Sequence, residues 1–261
     1  MKDFKETKKT ISAYWTNKED RKLAAKKHHT DMTVMFNNEI VKSVENSKIY
    51  GDVQQISDVH SPIQKFMNVD STTAAFENFK EDKKICILNF ASYKHPGGGY
   101  MNGSSAQEES LCHKSTLYEV LSSDRFKKYY DLNNKNLNRS LYLNRAIYSP
   151  SIVFIRNKKI EVDVLTCAAP NIGSAGQYQN VSDEENYEAL KSRMQFIANI
   201  LNENRVNIFI AGAFGCGVFG QSPDEVSHIW KNEVIYGKDL ELIIHAVPGN
   251  NENSNVFKGN F

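Results

Sequence analysis

No stretch of this 261-residue sequence is apolar for long enough to cross a bilayer, and the mean hydropathy is −0.52, which argues against a membrane-spanning protein. Proline is scarce, with 6 residues, and a chain with 40% hydrophobic and 11% aromatic residues is neither disordered nor fibrous in composition. An excess of one charge is lacking too. Lys and Arg number 32 against 31 Asp and Glu, so the chain as a whole does not attract nucleic acid or anionic lipid, and any polyanionic ligand has to be held locally. The four cysteines, Cys86, Cys112, Cys167 and Cys216, include no C-x-x-C pair, and the opening MKDFKETKKT is basic with no apolar segment behind it. Both features point to a reducing, cytoplasmic setting. Cys112-His113 is too isolated for a metal site, which needs three or four ligands. Internal repeats, low-complexity linkers and the Walker pattern are all missing, which removes solenoids and P-loop NTPases.

What remains reads as one elaborated domain over 1–261. Residues 16–46 are rich in Lys, Glu and Asp, with apolar positions at three- and four-residue spacing, and predict helices; a further helix is expected between Met67 and Phe79 with Ser71 as its N-cap. Lys8-Lys9 and Lys26-Lys27 read as solvated helix faces, so 1–82 is expected as an N-terminal helical extension. From residue 83 onward short apolar runs of strand type follow one another: 85–91, 151–156, 162–169, 206–213 and 240–247. Helical stretches at about 105–122, 183–202 and 222–235 separate them, and 125–148 reads as a loop with short strands. Strands apolar on both faces imply a sheet covered on both sides, hence a three-layer α/β/α sandwich over 83–261.

Glycine carries the strongest functional signal. Eight of the fourteen fall in two short windows, Gly97, Gly98, Gly99 and Gly103, then Gly212, Gly215, Gly217 and Gly220. Each window follows a predicted strand and precedes a predicted helix. Such loops present backbone N–H groups and helix N-termini to one crevice, the usual way α/β proteins hold phosphates; tight turns needing positive φ are the plainer alternative. Gly215-Cys216-Gly217-Val218-Phe219-Gly220 also satisfies G-x-G-x-x-G, yet only 41 residues follow it, too few for the βα units of a dinucleotide-binding fold. Directly after the first window comes Gln107-Glu108-Glu109. Ser105-x-x-Glu108 can be read as a capping box. A carboxylate pair beside a phosphate loop is also what cleavage of a glycosidic bond on a nucleotide sugar needs, because the leaving oxygen must be protonated as charge builds on the ribose carbon.

At these residues the sequence resembles the poly(ADP-ribose) glycohydrolases, whose signature is three glycines, six to eight residues, then Gln-Glu-Glu; here seven residues intervene, Tyr100 to Ala106. The compact microbial form writes its two loops much as NFASYKHPGGGYMNGSSAQEESL (89–111) and AGAFGCGVFG (211–220) stand here, and 71–79 and 165–171 fit the same pattern. The resemblance spans about 69–250.

The resemblance implies a macrodomain-like fold with a mixed central sheet, and hydrolysis of the ribose–ribose bonds of poly(ADP-ribose) to release ADP-ribose. Its ligands are ADP-ribose, the polymer or ADP-ribosylated protein; no cofactor, metal or membrane is implied, and a monomer is expected. Carried onto this chain, Glu109 is the acid/base, Glu108 and Asn89 hold the ribose, Gln107 is a further substrate-binding residue, and Gly97, Gly98 and Gly99 form the catalytic loop. Gly215, Cys216, Gly217 and Val218 wrap the diphosphate, and Phe219 packs against the adenosine end. Ser92 takes the place of an asparagine that other macrodomains carry near the ribose. Cys216, with no histidine beside it, reads as a small loop residue rather than a nucleophile. His95 and His113 flank the motif. Hydrolysis of mono-ADP-ribosylated protein or nucleic acid, and a non-catalytic ADP-ribose reader, are the alternatives; retention of the Gln-Glu-Glu triplet speaks against the reader.

Overall fold

The structure, a computed structural model, describes residues 17–261; Lys8-Lys9 and the basic opening lie outside the described residues. Helices α1 (Lys18–Met35) and α2 (Asn37–Asn46) come first, as the spacing predicts. Then follow β1 (Lys48–Tyr50), β2 (Val59–His60), β3 (Ile63–Met67), α3 (Ser71–Asn78) and β4 (Ile85–Phe90). The next elements are α4 (Gln107–Cys112), α5 (Leu117–Leu121), α6 (Asp124–Lys135), β5 (Ala146–Ile155) and β6 (Lys159–Cys167). The remainder is α7 (Ile172–Gln179), α8 (Asp183–Glu203), β7 (Ile208–Ala211), α9 (Pro223–His228), β8 (Tyr236–Gly237), β9 (Leu242–Ala246) and α10 (Glu252–Asn260).

Seven strands form one sheet in the order β1-β5-β6-β4-β7-β9-β3. The five from β6 to β3 run parallel, and β5 and β1 close one side antiparallel, so the sheet is mixed. Side chains alternate along β4 as a strand buried on both faces requires. Cys86 and Leu88 join the cluster under α8 with Leu190, Met194, Ile197 and Leu201, while Ile85 and Ile87 join the opposite cluster with Leu111, Leu117, Leu121 and Phe126. The three-layer α/β expectation therefore holds.

Three local readings change. The stretch expected as purely helical lead-in supplies both edge strands of the main sheet, β1 beside β5 and β3 beside β9. At three and five residues these strands are too short to show a clear period of two. Helix α3 is capped by Asp70, not Ser71: its carboxylate accepts from Thr72 N at 3.0 Å and Thr73 N at 3.1 Å, so Ser71 is the first helical residue. All of 125–135, the first part of the segment 125–148 read as a loop with short strands, is helix α6. Its buried Phe126, Tyr129, Tyr130 and Asn133 stand at i, i+3, i+4 and i+7, a helical stripe whose Asn and Tyr content disguises it.

The topology places β4 directly beside β7. Because these neighbours are parallel, the loop after β4 (91–106) and the loop after β7 (212–222) leave the same sheet edge side by side. This brings the two glycine windows to one place.

Candidate active site

Both windows line a single cleft of about 950 Å³ at the carboxyl ends of β4 and β7. The first loop is anchored from two sides. Helix α6 reaches it through Asn133 Nδ2 to Tyr93 O (2.9 Å) and Asn134 Nδ2 to Lys94 O (3.1 Å), and α1 through Arg21 Nε to Gly103 O (2.7 Å). Between these anchors Gly97 and Gly98 take φ of 67° and 59°. A Cβ on residue 98 would stand 2.6 Å from Glu109 Oε1 and 2.9 Å from Glu108 Oε2, so the backbone approaches both carboxylates more closely than any side chain permits.

Glu108 and Glu109 open α4, and both are buried, at 3% and 6% exposure, on the cleft wall. Their four oxygens meet four different donors. Glu109 Oε1 accepts from Gly99 N (2.7 Å) and Oε2 from Ala106 N (2.9 Å). Glu108 Oε2 accepts from Ser92 N (2.6 Å) and Oε1 from Asn89 Nδ2 (3.1 Å). The N-cap is thus Ala106, one residue later than the capping box read from sequence. The back-reaching carboxylate belongs to Glu109, and an alanine cap returns no side-chain bond. Burial pushes the Glu108 carboxyl up to about 8; its bonds from Ser92 and Asn89 pull the other way, and the neighbouring Glu109 charge adds to the rise.

The remaining site residues separate into those that face the cleft and those behind it. Gly98, Gly99, Gly215, Gly217, Val218 and Phe219 line it. Val218 is 85% exposed at the rim, and Phe219 meets Tyr142 edge-on at 5.9 Å. Gly215, with φ of 81°, has Ala169 Cβ 2.7 Å from where its own Cβ would be, whereas residue 217 has open space there. Asn89 stands behind Glu108 rather than in the cleft: it is fully buried, and its amide also reaches Thr166 Oγ1 at 3.3 Å on the paired strand. Gln107 touches the cleft, but its amide is spent on the scaffold, accepting from Phe90 N (2.9 Å) and donating to Leu88 O (2.8 Å) and Ser71 Oγ (3.2 Å). Cys216 turns away, with Sγ 3.9 Å from Phe214 O, and burial pushes its thiol up to about 12, so it is no nucleophile at neutral pH. Ser92 serves the loop, its hydroxyl accepting from Lys94 N and His95 N. Of the two histidines only His95 lines the cleft; His113 is buried behind Tyr100, ring centroids 4.3 Å apart.

Two features escaped the sequence reading. Phe90 and Phe214, one at the end of β4 and one in the second loop, meet edge-on at 5.7 Å on the cleft wall, and Tyr118 of α5 lines the end near Gly97. Only their place after strands or beside the glutamates hinted at this. Among the described residues the lining contains no Lys or Arg, so the groups available to an anion are backbone N–H groups, His95 and neutral donors such as Asn102, Ser104 and Ser105. No group of three or more His, Cys, Asp or Glu positioned to hold a metal ion occurs among the described residues.

Comparison with solved structures finds the same fold in bacterial enzymes. Poly(ADP-ribose) glycohydrolase from Thermomonospora curvata superposes with a TM-score of 0.81 at 22% identity, over 93% of this chain and 100% of that one. Its form bound to the inhibitor ADP-HPD gives 0.79 over the same shares, also at 22% identity. The Deinococcus radiodurans enzyme in complex with ADP-ribose gives 0.73 at 22% identity, over 85% of this chain and 96% of that one. No curated protein matches the sequence. The family model for the microbial-type PARG catalytic domain matches residues 18–157, from the first residue of α1 through the glycine loop and both glutamates to the turn after β5. With more than half of the chain under that model and a fold shared along nearly all of it, the chain belongs to the microbial-type poly(ADP-ribose) glycohydrolase family.

Proposed function

We propose that this protein hydrolyses the ribose–ribose glycosidic bonds of poly(ADP-ribose), releasing ADP-ribose, with Glu109 as the acid/base. The observation that carries the reading is the pair of adjacent buried carboxylates, each held by its own donors, against a backbone loop that leaves no room for a side chain at Gly98. ADP-ribose lies across the two loops. Its diphosphate meets the backbone N–H groups of 215–218, and the adenosine end packs on Phe219. Gly217 supports this placement, because its backbone is unstrained and nothing among the described residues blocks a side chain there; a ligand lying close to the loop supplies the reason for glycine.

At the scissile bond Glu109 donates its proton to the departing ribose oxygen. The carbon–oxygen bond breaks with its electron pair going to that oxygen, leaving an oxocarbenium-like ribose. Glu109 then takes a proton from the attacking water, whose oxygen bonds the ribose carbon, and the acid form is restored. Glu108 binds the ribose hydroxyls, and burial, by favouring its protonated form, lets it donate as well as accept. Asn89 acts through Glu108, as a positioning residue. A cytoplasmic setting belongs to the same reading, supported by four free cysteines, three of them buried.

The test is release of free ADP-ribose from automodified polymer and, in parallel, from a mono-ADP-ribosylated protein. Release from polymer is expected. Release from the mono-modified substrate alone replaces polymer cleavage with mono-ADP-ribosyl hydrolysis, and release from neither, with ADP-ribose still bound, leaves a reader.

A further inference from the structure

Helix α1 is a mostly exposed helix; of its 18 residues only Ala25 and Met32 are buried. Its inward face meets the catalytic loop. Arg21 Nε donates to Gly103 O at 2.7 Å, and the Lys18 carbonyl lies so close to Gly103 that a Cβ there would stand 2.2 Å from it. Seven residues along, the Tyr100 hydroxyl donates to Ala25 O at 3.1 Å and lies 3.0 Å from His28 Nδ1. Tyr100 is completely buried, with His113 edge-on at 4.3 Å and Tyr118 tilted against it at 4.9 Å. Burial holds His28 down at about 4, so it meets the hydroxyl as a neutral imidazole at physiological pH.

These anchors flank the group that holds the acid. Gly99 immediately precedes Tyr100, and its N–H is the donor to Glu109 Oε1. Tyr100 N to Gly97 O, Gly103 N to Tyr100 O and Ser104 N to Gly99 O, all 3.0–3.1 Å, tie 97–104 into one tight unit, so a shift at Tyr100 or Gly103 moves Gly99 with it. Three consecutive glycines have more backbone freedom to lose than any other tripeptide, and hydrogen bonds inside the loop restrain its shape but not its place on the protein. That place is set from outside, by α6 on the 93–94 side and α1 on the 100–103 side.

We propose that α1 is a working part of the active site, in which Arg21 and Tyr100 are positioning residues that hold the Gly99 N–H against Glu109. The proposal rests on the reading of Glu109 as the acid/base. It explains why a largely solvated helix carries a buried tyrosine contact and an arginine committed to one loop carbonyl. A general acid must be held within about 0.5 Å of its productive place, and a misplacement of about 1 Å can cost on the order of 10²-fold in rate.

Tyr100→Phe, Arg21→Ala, Arg21→Lys and Glu109→Gln are compared in the full chain, at matched folded fraction. The readouts are Tm, ADP-ribose Kd by calorimetry, kcat and KM on polymer, and amide exchange of Gly99. Tyr100→Phe and Arg21→Ala are expected to lower kcat roughly tenfold or more, to shift KM and Kd by less than about threefold, and to accelerate exchange at Gly99. Arg21→Lys keeps a donor for Gly103 O and should recover most of the loss. Wild-type kcat in both Tyr100→Phe and Arg21→Ala, or losses that follow Tm alone, overturn the proposal while leaving Glu109 in its role. Normal turnover by Glu109→Gln removes that role instead, and the Gly99 exchange rate then decides by itself whether α1 holds the loop.

Discussion

Glu108 and Glu109 are chain neighbours with different environments, and the difference underlies the tasks proposed for them. Glu109 is held only by backbone N–H groups of the loop and its own helix cap, whereas Glu108 is tied to β4 through Asn89 and to the strand's exit through Ser92. Glu109→Gln keeps size and shape, so ADP-ribose affinity should stay within a few-fold while turnover falls by at least about 10²-fold, the low end for general acid–base catalysis; near wild-type hydrolysis would overturn the mechanism. Glu108 lends itself to a pH test. Its folded value near 8 lies above the ordinary 4.5, so the folded state binds this proton more tightly than the unfolded chain does. The resulting stabilisation is present in full below about pH 4.5 and is lost as pH rises through about 8. The stability advantage of wild type over Glu108→Gln should therefore shrink steadily between about pH 5 and pH 8.5, read as the difference in urea midpoints. A flat difference across that range would show that burial does not protonate Glu108.

At the scale of elements, the second glycine loop separates what the fold needs from what a ligand needs. Gly215 adopts φ of 81° and faces Ala169 and Gln221 within 2.8 Å of a would-be Cβ, so Gly215→Ala should lower Tm and affinity together. Gly217 has no such constraint. Gly217→Ala should leave Tm unchanged and weaken ADP-ribose by about 1–3 kcal/mol through overpacking against the ligand, a contrast that paired calorimetry and thermal melts would reveal or deny. Phe219 is half-buried and shares contacts with Tyr142, so Phe219→Ala should also weaken ADP-ribose, by about 1–3 kcal/mol for a lost stacking partner, with some loss of Tm. Unchanged affinity per folded molecule would make Phe219 a core residue only. Helix α6 illustrates how an element's role stays hidden in sequence: its stripe is legible afterwards, but nothing local says that Asn133 and Asn134 reach the backbone of the first glycine loop, 40 residues away in the chain.

At the scale of the whole molecule, a formal charge of +1 and a cleft lined by no Lys or Arg among the described residues mean that, in the proposed complex, the diphosphate is met by dipoles rather than by cations. Affinity for free ADP-ribose should therefore depend weakly on salt, changing by less than about threefold between 50 and 200 mM, against the 10³–10⁵-fold loss of a protein that neutralises 6–10 phosphates with basic side chains. A steep slope in a salt series would point to basic residues outside the lining.

The sequence by itself determined the α/β alternation, the two glycine windows, and the carboxylate pair placed at the start of a helix. Each of these follows from residue type and short-range spacing: a buried strand needs apolar runs, and a loop that touches carboxylates or phosphate needs glycine. Only the tertiary structure decided that β4 and β7 are neighbours, that the two edge strands come from the first seventy residues, that Asn89 and Cys216 stand behind the cleft wall rather than in it, and that the Gln107 amide is turned to the scaffold. It alone made Glu108 the carboxyl that burial pushes up, and set α1 beside the glycine loop. Strand order, burial and hydrogen-bond partners depend on pairings between residues tens of positions apart, and such pairings leave no periodic trace in the chain that makes them.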